Sequence, residues 1–265
     1  MSAAHFDFHA GSTPLLISVP HAGRELPAEL LPRLSAAGLA QTDTDWHVPE
    51  LYAFARELGV GLIVARMSRY LIDLNRDPEG AALYPGADNT ELCPTTSFAA
   101  TALYREGQAP GAEEIAARRR MYFDPYHHAL RHELARLRAR HGFALLLDGH
   151  SIRSQVPRFF AGRLPDLNLG SVGGWSASPN VEGIALRTLL ESPGFSAVLN
   201  GRFQGGFITR HFGQPQVGWH ALQLEIAQSA YLDEAAPERF DATRAAALVA
   251  VLRRLVERLL AWRGP

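Results

Sequence analysis

Ala144-Leu145-Leu146-Leu147-Asp148-Gly149-His150-Ser151 reads as a strand that hands polar groups to whatever lies beyond its end. With Phe143 in front, the apolar run Phe143–Leu147 suits a strand buried on both faces. Strands of that kind belong to α/β folds, whose helices cover both sides of the sheet. Ligands in such open sheets bind outside the carboxyl ends of strands.

Leu15-Leu16-Ile17-Ser18-Val19-Pro20-His21-Ala22-Gly23 repeats the arrangement near the start of the chain. Each apolar run is followed by a His close to a Gly. Taken singly, either His reads as a hydrogen-bonded turn residue. Two histidines delivered to one sheet edge can instead bind zinc through neutral imidazole nitrogens.

Outward from these strands, strand-like and helix-like runs alternate, the pattern of a layered α/β domain. Gly61–Ala65, Ser196–Leu199 and Ala221–Ile226 read as strands. Thr44–Leu58, Ala112–Phe123, Ser178–Leu190 and the amphipathic Asp241–Trp262 read as helices. Asp124-Pro125 reads as an N-cap and first turn that restart a helix running to about Arg140. The long polar stretch Ser68–Ala109 reads as a functional excursion. No repeat, low-complexity tract or Gly/Ser linker divides the chain, so residues 1–265 are expected to form a single domain.

The chain has 265 residues, with 47% hydrophobic and 20% charged residues, which is enough to bury a sizeable core. A formal net charge of −1 gives no reason to expect nucleic acid or an anionic membrane as a partner. The single cysteine, Cys93, excludes an internal disulfide framework and a thiolate metal cluster. The first residues lack a signal-peptide pattern, and no run reaches the ~18 apolar residues of a membrane span. A cytoplasmic location is expected; the oligomeric state stays open.

Thr42-Asp43-Thr44-Asp45-Trp46-His47 supplies two acids where one helix cap would suffice. A catalytic zinc with two histidines typically takes a third, carboxylate ligand and leaves its fourth position to water. Asp45 is preferred to Asp43 for that role. Asp73-Leu74-Asn75-Arg76 sets a neutral donor beside a bidentate guanidinium, a pair able to clamp a carboxylate. A surface ion pair of Arg76 with Asp73 or Asp77 is the plainer alternative. Arg69 stands near enough to be a second anion contact. In Gly201-Arg202-Phe203-Gln204-Gly205-Gly206-Phe207-Ile208-Thr209-Arg210-His211 the Gly pair suggests a tight loop where backbone approaches a ligand, with Thr209 and Arg210 as donors. Glu225 is a lone carboxylate in the apolar run Ala221–Ile226. It either pairs with an arginine or acts as a general base. No phosphate loop, dinucleotide fingerprint or nucleophile elbow occurs.

At these residues, and at Leu164-Pro165-Asp166-Leu167-Asn168-Leu169-Gly170, the chain resembles the N-formylglutamate amidohydrolase family. That family looks related to zinc carboxypeptidases. The resemblance covers about residues 15 to 235. It implies a three-layer α/β/α fold with a mixed central sheet. It also implies metal-dependent hydrolysis of N-formyl-L-glutamate to formate and L-glutamate, the last step of one bacterial route of histidine degradation. Carried over residue by residue, it makes His21, Asp45 and His150 ligands of Zn2+ or another divalent metal, and Glu225 the general base. Asn75 and Arg76 become the carboxylate-binding pair. The carboxypeptidase pattern has its acidic ligand three residues after the first His; Arg24 stands there instead, so the acid must come from elsewhere. Arg69 is expected to stabilise the oxyanion, and Arg153 or Arg210 to hold the second carboxylate of the small-molecule substrate. The competing readings are an amidohydrolase or carboxypeptidase for another N-acyl amino acid or peptide, and a metal-free binding protein for acidic amino acids.

Overall fold

The computed structural model of the chain describes residues 5–83 and 85–264. Among them seven strands form one mixed sheet: β1 (Phe6–His9), β2 (Leu15–Val19), β3 (Gly61–Ala65), β4 (Ala144–Ile152), β5 (Leu167–Gly170), β6 (Ala197–Leu199) and β7 (Trp219–Ala227). Their spatial order is β1-β3-β2-β4-β7-β5-β6. The central strands β3, β2, β4 and β7 run parallel. β1 and β5 pair antiparallel with β3 and β7, and β6 runs parallel to β5. The helices are α1 (Ala36–Ala40), α2 (Val48–Leu51), α3 (Ala112–Arg118), α4 (Asp124–His141), α5 (Pro179–Leu190), α6 (Phe207–Phe212) and α7 (Ala242–Ala261).

Alternation along the strands builds two cores. Leu15, Ile17, Leu145, Leu147, Leu222 and Leu224 face α5 and α7, meeting Val181, Leu189, Leu248 and Leu252. Leu16, Ile63, Leu146 and Ala221 face the other way, against Tyr126, Leu130 and Leu134 of α4 and Ile208 and Phe212 of α6. The result is the three-layer α/β/α architecture. Asp241 caps α7 by accepting from the backbone N–H groups of Thr243 and Arg244, and Ser178 caps α5 through Val181 N–H.

Four expectations change. The strand expected over Phe143–Leu147 continues to Ile152, because β7 pairs with it residue by residue as far as Ala227. The helix expected over Thr44–Leu58 shrinks to α2 and a 3-10 turn at Ala53–Arg56, because His47 is left-handed (φ 59°) and Asp45 N–H is bonded to His21 O. Asp124 does not cap a new helix: Arg119–Phe123 forms a π-helical turn joining α3 to α4, and Pro125 is accommodated in its first turn. The Gly205-Gly206 pair is irregular backbone as expected, but the rest of that stretch is not: Phe207–Phe212 forms α6, with Gly206 as its N-cap. Two short strands, β1 and β5, were not expected at all.

Candidate functional site

On the face shared with α4 and α6, the apolar residues of the central strands give way to polar ones toward the carboxyl ends. Ser18 stands opposite Asp148, and Asp148 opposite Gln223. One step further, His150 stands opposite Glu225, which has Asn168 on its other side. The two-residue period therefore brings Asp148, His150, Gln223 and Glu225 to one face. All are buried.

The loops after β2 and before α2 complete the centre. His21, Asp45 and His150, all buried, offer ligand atoms that lie within 4.8 Å of one another. Asp45 Oδ2 is 3.0 Å from His150 Nδ1 and 3.7 Å from His21 Nδ1. The opposite ring nitrogens are held by carboxylates: His21 Nε2 lies 2.7 Å from Asp73 Oδ1, and His150 Nε2 lies 2.8 Å from Asp148 Oδ2. An ionised carboxylate only accepts, so the tautomer with the proton on each Nε2 leaves each Nδ1 lone pair facing Asp45. Acceptors so close together need a cation between them, a proton or a metal ion. His21 Nδ1 is buried with no hydrogen-bond partner. Two imidazoles and a carboxylate are also the protein donor set of a catalytic zinc site. The residues fit a divalent metal, and Asp45 is the acid that reaches the cluster. Asp43 turns away, accepting Phe98 N–H at 2.7 Å.

The charges are mutually supported. Burial works to raise the pKa of Asp45, but the hydrogen bond with His150 and the electrostatic pull of the two imidazoles outweigh it and hold the carboxyl well below its ordinary range. Asp73 is likewise held low against burial by Arg76, His21 and Arg69. Burial opposes the His150 cation, yet Asp148 and Asp45 raise its pKa well above the ordinary value. Glu225 behaves differently. Burial pushes its carboxyl up to about 7, against the pull of His150 and Arg69.

A cleft opens over these groups. His21, His150 and Glu225 line it together with Arg69, Asn75, Arg76 and Arg202. The Ser68–Ala109 excursion forms one wall. It is tied to the segment after β4 by a bidentate Asp88–Arg158 pair (2.7 and 2.9 Å) and by Phe98 edge-on to Phe159.

The expected substrate residues are distributed unevenly. Arg69 lines the cleft but is largely buried, donating to Asp73 Oδ2 (2.7 Å) and Asp45 Oδ1 (3.4 Å). Arg76 also lines the cleft and is braced on Thr90 Oγ1 (2.8 Å). Asn75 is used within the protein: its Nδ2 donates to Asp148 Oδ2 (3.2 Å), and its Oδ1 accepts Ile208 N–H (2.7 Å). It braces Asp148 and His150 from one side and the start of α6 from the other. Arg153, Arg210 and Thr209 are absent from the cleft lining. Arg153 borders a separate depression with Arg24 and Trp46. Arg210 is exposed beside Asp77, and Thr209 is buried in α6. The cause is the helix itself: α6 turns Ile208 and Thr209 inward and Arg210 out.

Three site residues escaped the sequence reading. Asp73 and Asp148 orient the two histidines; the usable signal was that a ligating His commonly donates its second nitrogen to a carboxylate. Arg202 lines the cleft; it lies in the Gly201–His211 stretch, where the Gly pair, Thr209 and Arg210 stood out and nothing singled out Arg202 itself. Two glycines are explained by close approach. A Cβ on Gly149 would lie 2.8 Å from the Tyr52 ring, and one on Gly206 would lie 2.3 Å from Asn75 Nδ2.

The comparisons agree with this architecture. The N-formylglutamate amidohydrolase family model matches residues 13–232. The chain is 50% identical to N-formylglutamate deformylase of Pseudomonas aeruginosa over 255 residues, 96% of each protein. It is 47% identical to N-formylglutamate deformylase of Pseudomonas putida, covering 96% of this chain and 95% of the relative. The crystal structure of N-formylglutamate amidohydrolase from Ralstonia eutropha JMP134 superposes with a TM-score of 0.77 at 26% identity, over 96% of this chain and 97% of that one. A gene product of Agrobacterium tumefaciens shares the fold at a TM-score of 0.74 and 17% identity, over 98% of this chain and 94% of that one. With the family model spanning most of its length and relatives half identical to it almost end to end, the chain belongs to the N-formylglutamate amidohydrolase family.

Proposed function

We propose that this chain hydrolyses the formamide bond of N-formyl-L-glutamate, giving formate and L-glutamate. The observation that carries the reading is the His21–Asp45–His150 cluster beside the raised carboxyl of Glu225, inside a cleft lined by arginines. The names of the two half-identical relatives support the substrate. His21, Asp45 and His150 would hold a divalent metal, zinc by the donor set, which when bound polarises a carbonyl and lowers the pKa of water toward ~7.

The chain's own groups do the rest. Glu225 accepts the proton of the attacking water and passes it to the leaving nitrogen; general acid–base help of this kind is worth ~10²–10⁴-fold. A carboxyl titrating near neutrality suits both halves of that exchange. Asp73 and Asp148 keep the imidazoles in one tautomer. Arg69, anchored by Asp73 and Asp45, places a fixed positive charge beside the reacting centre, where negative charge develops on the formyl oxygen. Arg76 offers a planar fork to a substrate carboxylate. In this reading residues 1–265 act as one domain, in the cytoplasm, at the last step of histidine degradation. No helix among the described residues is long and apolar enough to cross a membrane.

The test is formate release from a panel of N-formyl and N-acetyl amino acids, with and without a chelator, alongside the metal content of the protein. N-formyl-L-glutamate should be the best substrate, chelation should abolish turnover, and added Zn2+ should restore it. Metal-loaded protein that releases no formate from N-formyl-L-glutamate would overturn the function. Full activity after verified metal removal would overturn the metal's role.

A further inference from the structure

We propose that Arg202 selects the acidic side chain of the substrate by binding its distal carboxylate; the inference rests on the function proposed above. The substrate of that reaction carries two carboxylates at different distances from the scissile bond. One hangs from the carbon that bears the leaving nitrogen. The other lies two methylene groups further out. They need cations at different depths in the cleft.

Two arginines from different parts of the fold, Arg76 and Arg202, line the cleft. Arg76 is joined to the metal centre: its Nη1 is 3.7 Å from Asp73 Oδ2, the carboxylate that also holds His21. Its chain neighbour Asn75 is bonded to Asp148 below His150. Arg76 therefore suits the carboxylate nearest the scissile bond. Arg202 comes from a different part of the fold, the loop between β6 and α6. Its Nε–H donates to Phe159 O at 2.6 Å, and its guanidinium lies against the rings of Phe159 and Phe203, 5.8 and 5.3 Å from their centroids. The same aromatic wall includes Phe98, which rests on Phe159 and under Arg69. An arginine held against aromatic rings and bonded to a backbone carbonyl is preorganised, so less rotamer freedom is lost when a carboxylate binds. The apolar wall also removes water from around the charge and strengthens the attraction.

The experiment compares N-formyl-L-glutamate with N-formyl-L-glutamine, which has the same shape but a neutral end. Wild type should favour the glutamate compound in kcat/KM. In Arg202→Gln that preference should fall on the order of 10²-fold, chiefly through a raised KM for the glutamate compound. Arg202→Lys keeps the charge without the fork and should recover part of the preference. A merely structural role would lower both substrates by one factor and move the thermal midpoint. If Arg202→Gln does not fold, the Lys variant carries the comparison, and an unchanged preference there overturns the proposal. Wild type that does not discriminate the two compounds also overturns it. Absence of formate release by wild type overturns the function and this inference with it; release with an unchanged preference overturns this inference alone.

Discussion

Glu225 shows how one position acquires chemistry from its surroundings. Its strand neighbours Leu224 and Ile226 point into the α5/α7 core, while its own side chain faces the cleft only 7% exposed. Gln223 Nε2 donates to it at 3.3 Å, a neutral partner that does not discharge the carboxylate. In the proposed reaction Glu225→Gln keeps the shape and loses the proton acceptor. Turnover should drop by ~10²–10⁴-fold, in kcat as well as kcat/KM. Metal content measured by plasma emission should stay at wild-type level, because Glu225 is outside the ligand cluster. A variant that keeps a third or more of wild-type kcat would return Glu225 to a structural role.

At the scale of elements, the site depends on how closely β4 can approach α2 and its neighbours. Tyr52, fully buried just after α2, lies against the strand at Gly149, on the face opposite Asp148 and His150. A methyl group there would meet the ring at 2.8 Å, and a buried aromatic ring has no open space to move into. Overpacking of this kind typically costs ~1–3 kcal/mol. Gly149→Ala should therefore lower the urea midpoint, with the slope of the transition unchanged. Stability equal to wild type within experimental error would show that β4 and Tyr52 can separate, and that the Gly serves the strand in some other way. The same element shows why the histidine needs its strand: His150 lies inside the β4–β7 ladder, so its direction is set by the pleat and not by a mobile loop.

For the whole molecule, a pH dependence of stability is expected from a group away from the His21–Asp45–His150 cluster. His127 of α4 is buried among Phe123, Phe207 and Phe212, with Nε2 bonded to Leu74 O at 2.8 Å. Burial, helped by Arg131, His211 and His128, pushes its pKa down to about 3. The unfolded chain, at an ordinary value near 6.5, binds a proton that the folded chain refuses between those limits. The contribution is thus complete above about pH 6.5 and declines as pH falls toward 3. Between pH 7 and pH 5 the loss amounts to about 2 kcal/mol from this group. His127→Gln can keep a donor to Leu74 O and has no proton to gain. Its urea-derived stability should fall less over that interval than that of wild type; identical pH slopes would remove His127 from the account.

Much of this protein could be read locally. Buried strands announce themselves by unbroken apolar runs, so Leu15–Val19 and Ala144–Leu147 were visible, and with them His21 and His150 at the sheet's carboxyl edge. Asp45 and Glu225 stood out because each is a carboxylate where local structure needs none. Short strands such as β1 and β5, four residues each, carry too little pattern, and their pairing partners lie far away in the chain. What tertiary structure alone decided is which distant groups meet. Asp73 comes from an irregular excursion to reach His21. Asn75 is consumed by Asp148 and Ile208. Arg202 arrives from the loop after β6, while Arg153 and Arg210, equally charged and equally near the motifs in sequence, end outside the cleft. A strand's period places side chains on a face, but the order in which strands are laid side by side determines which loops converge, and no local pattern encodes that order.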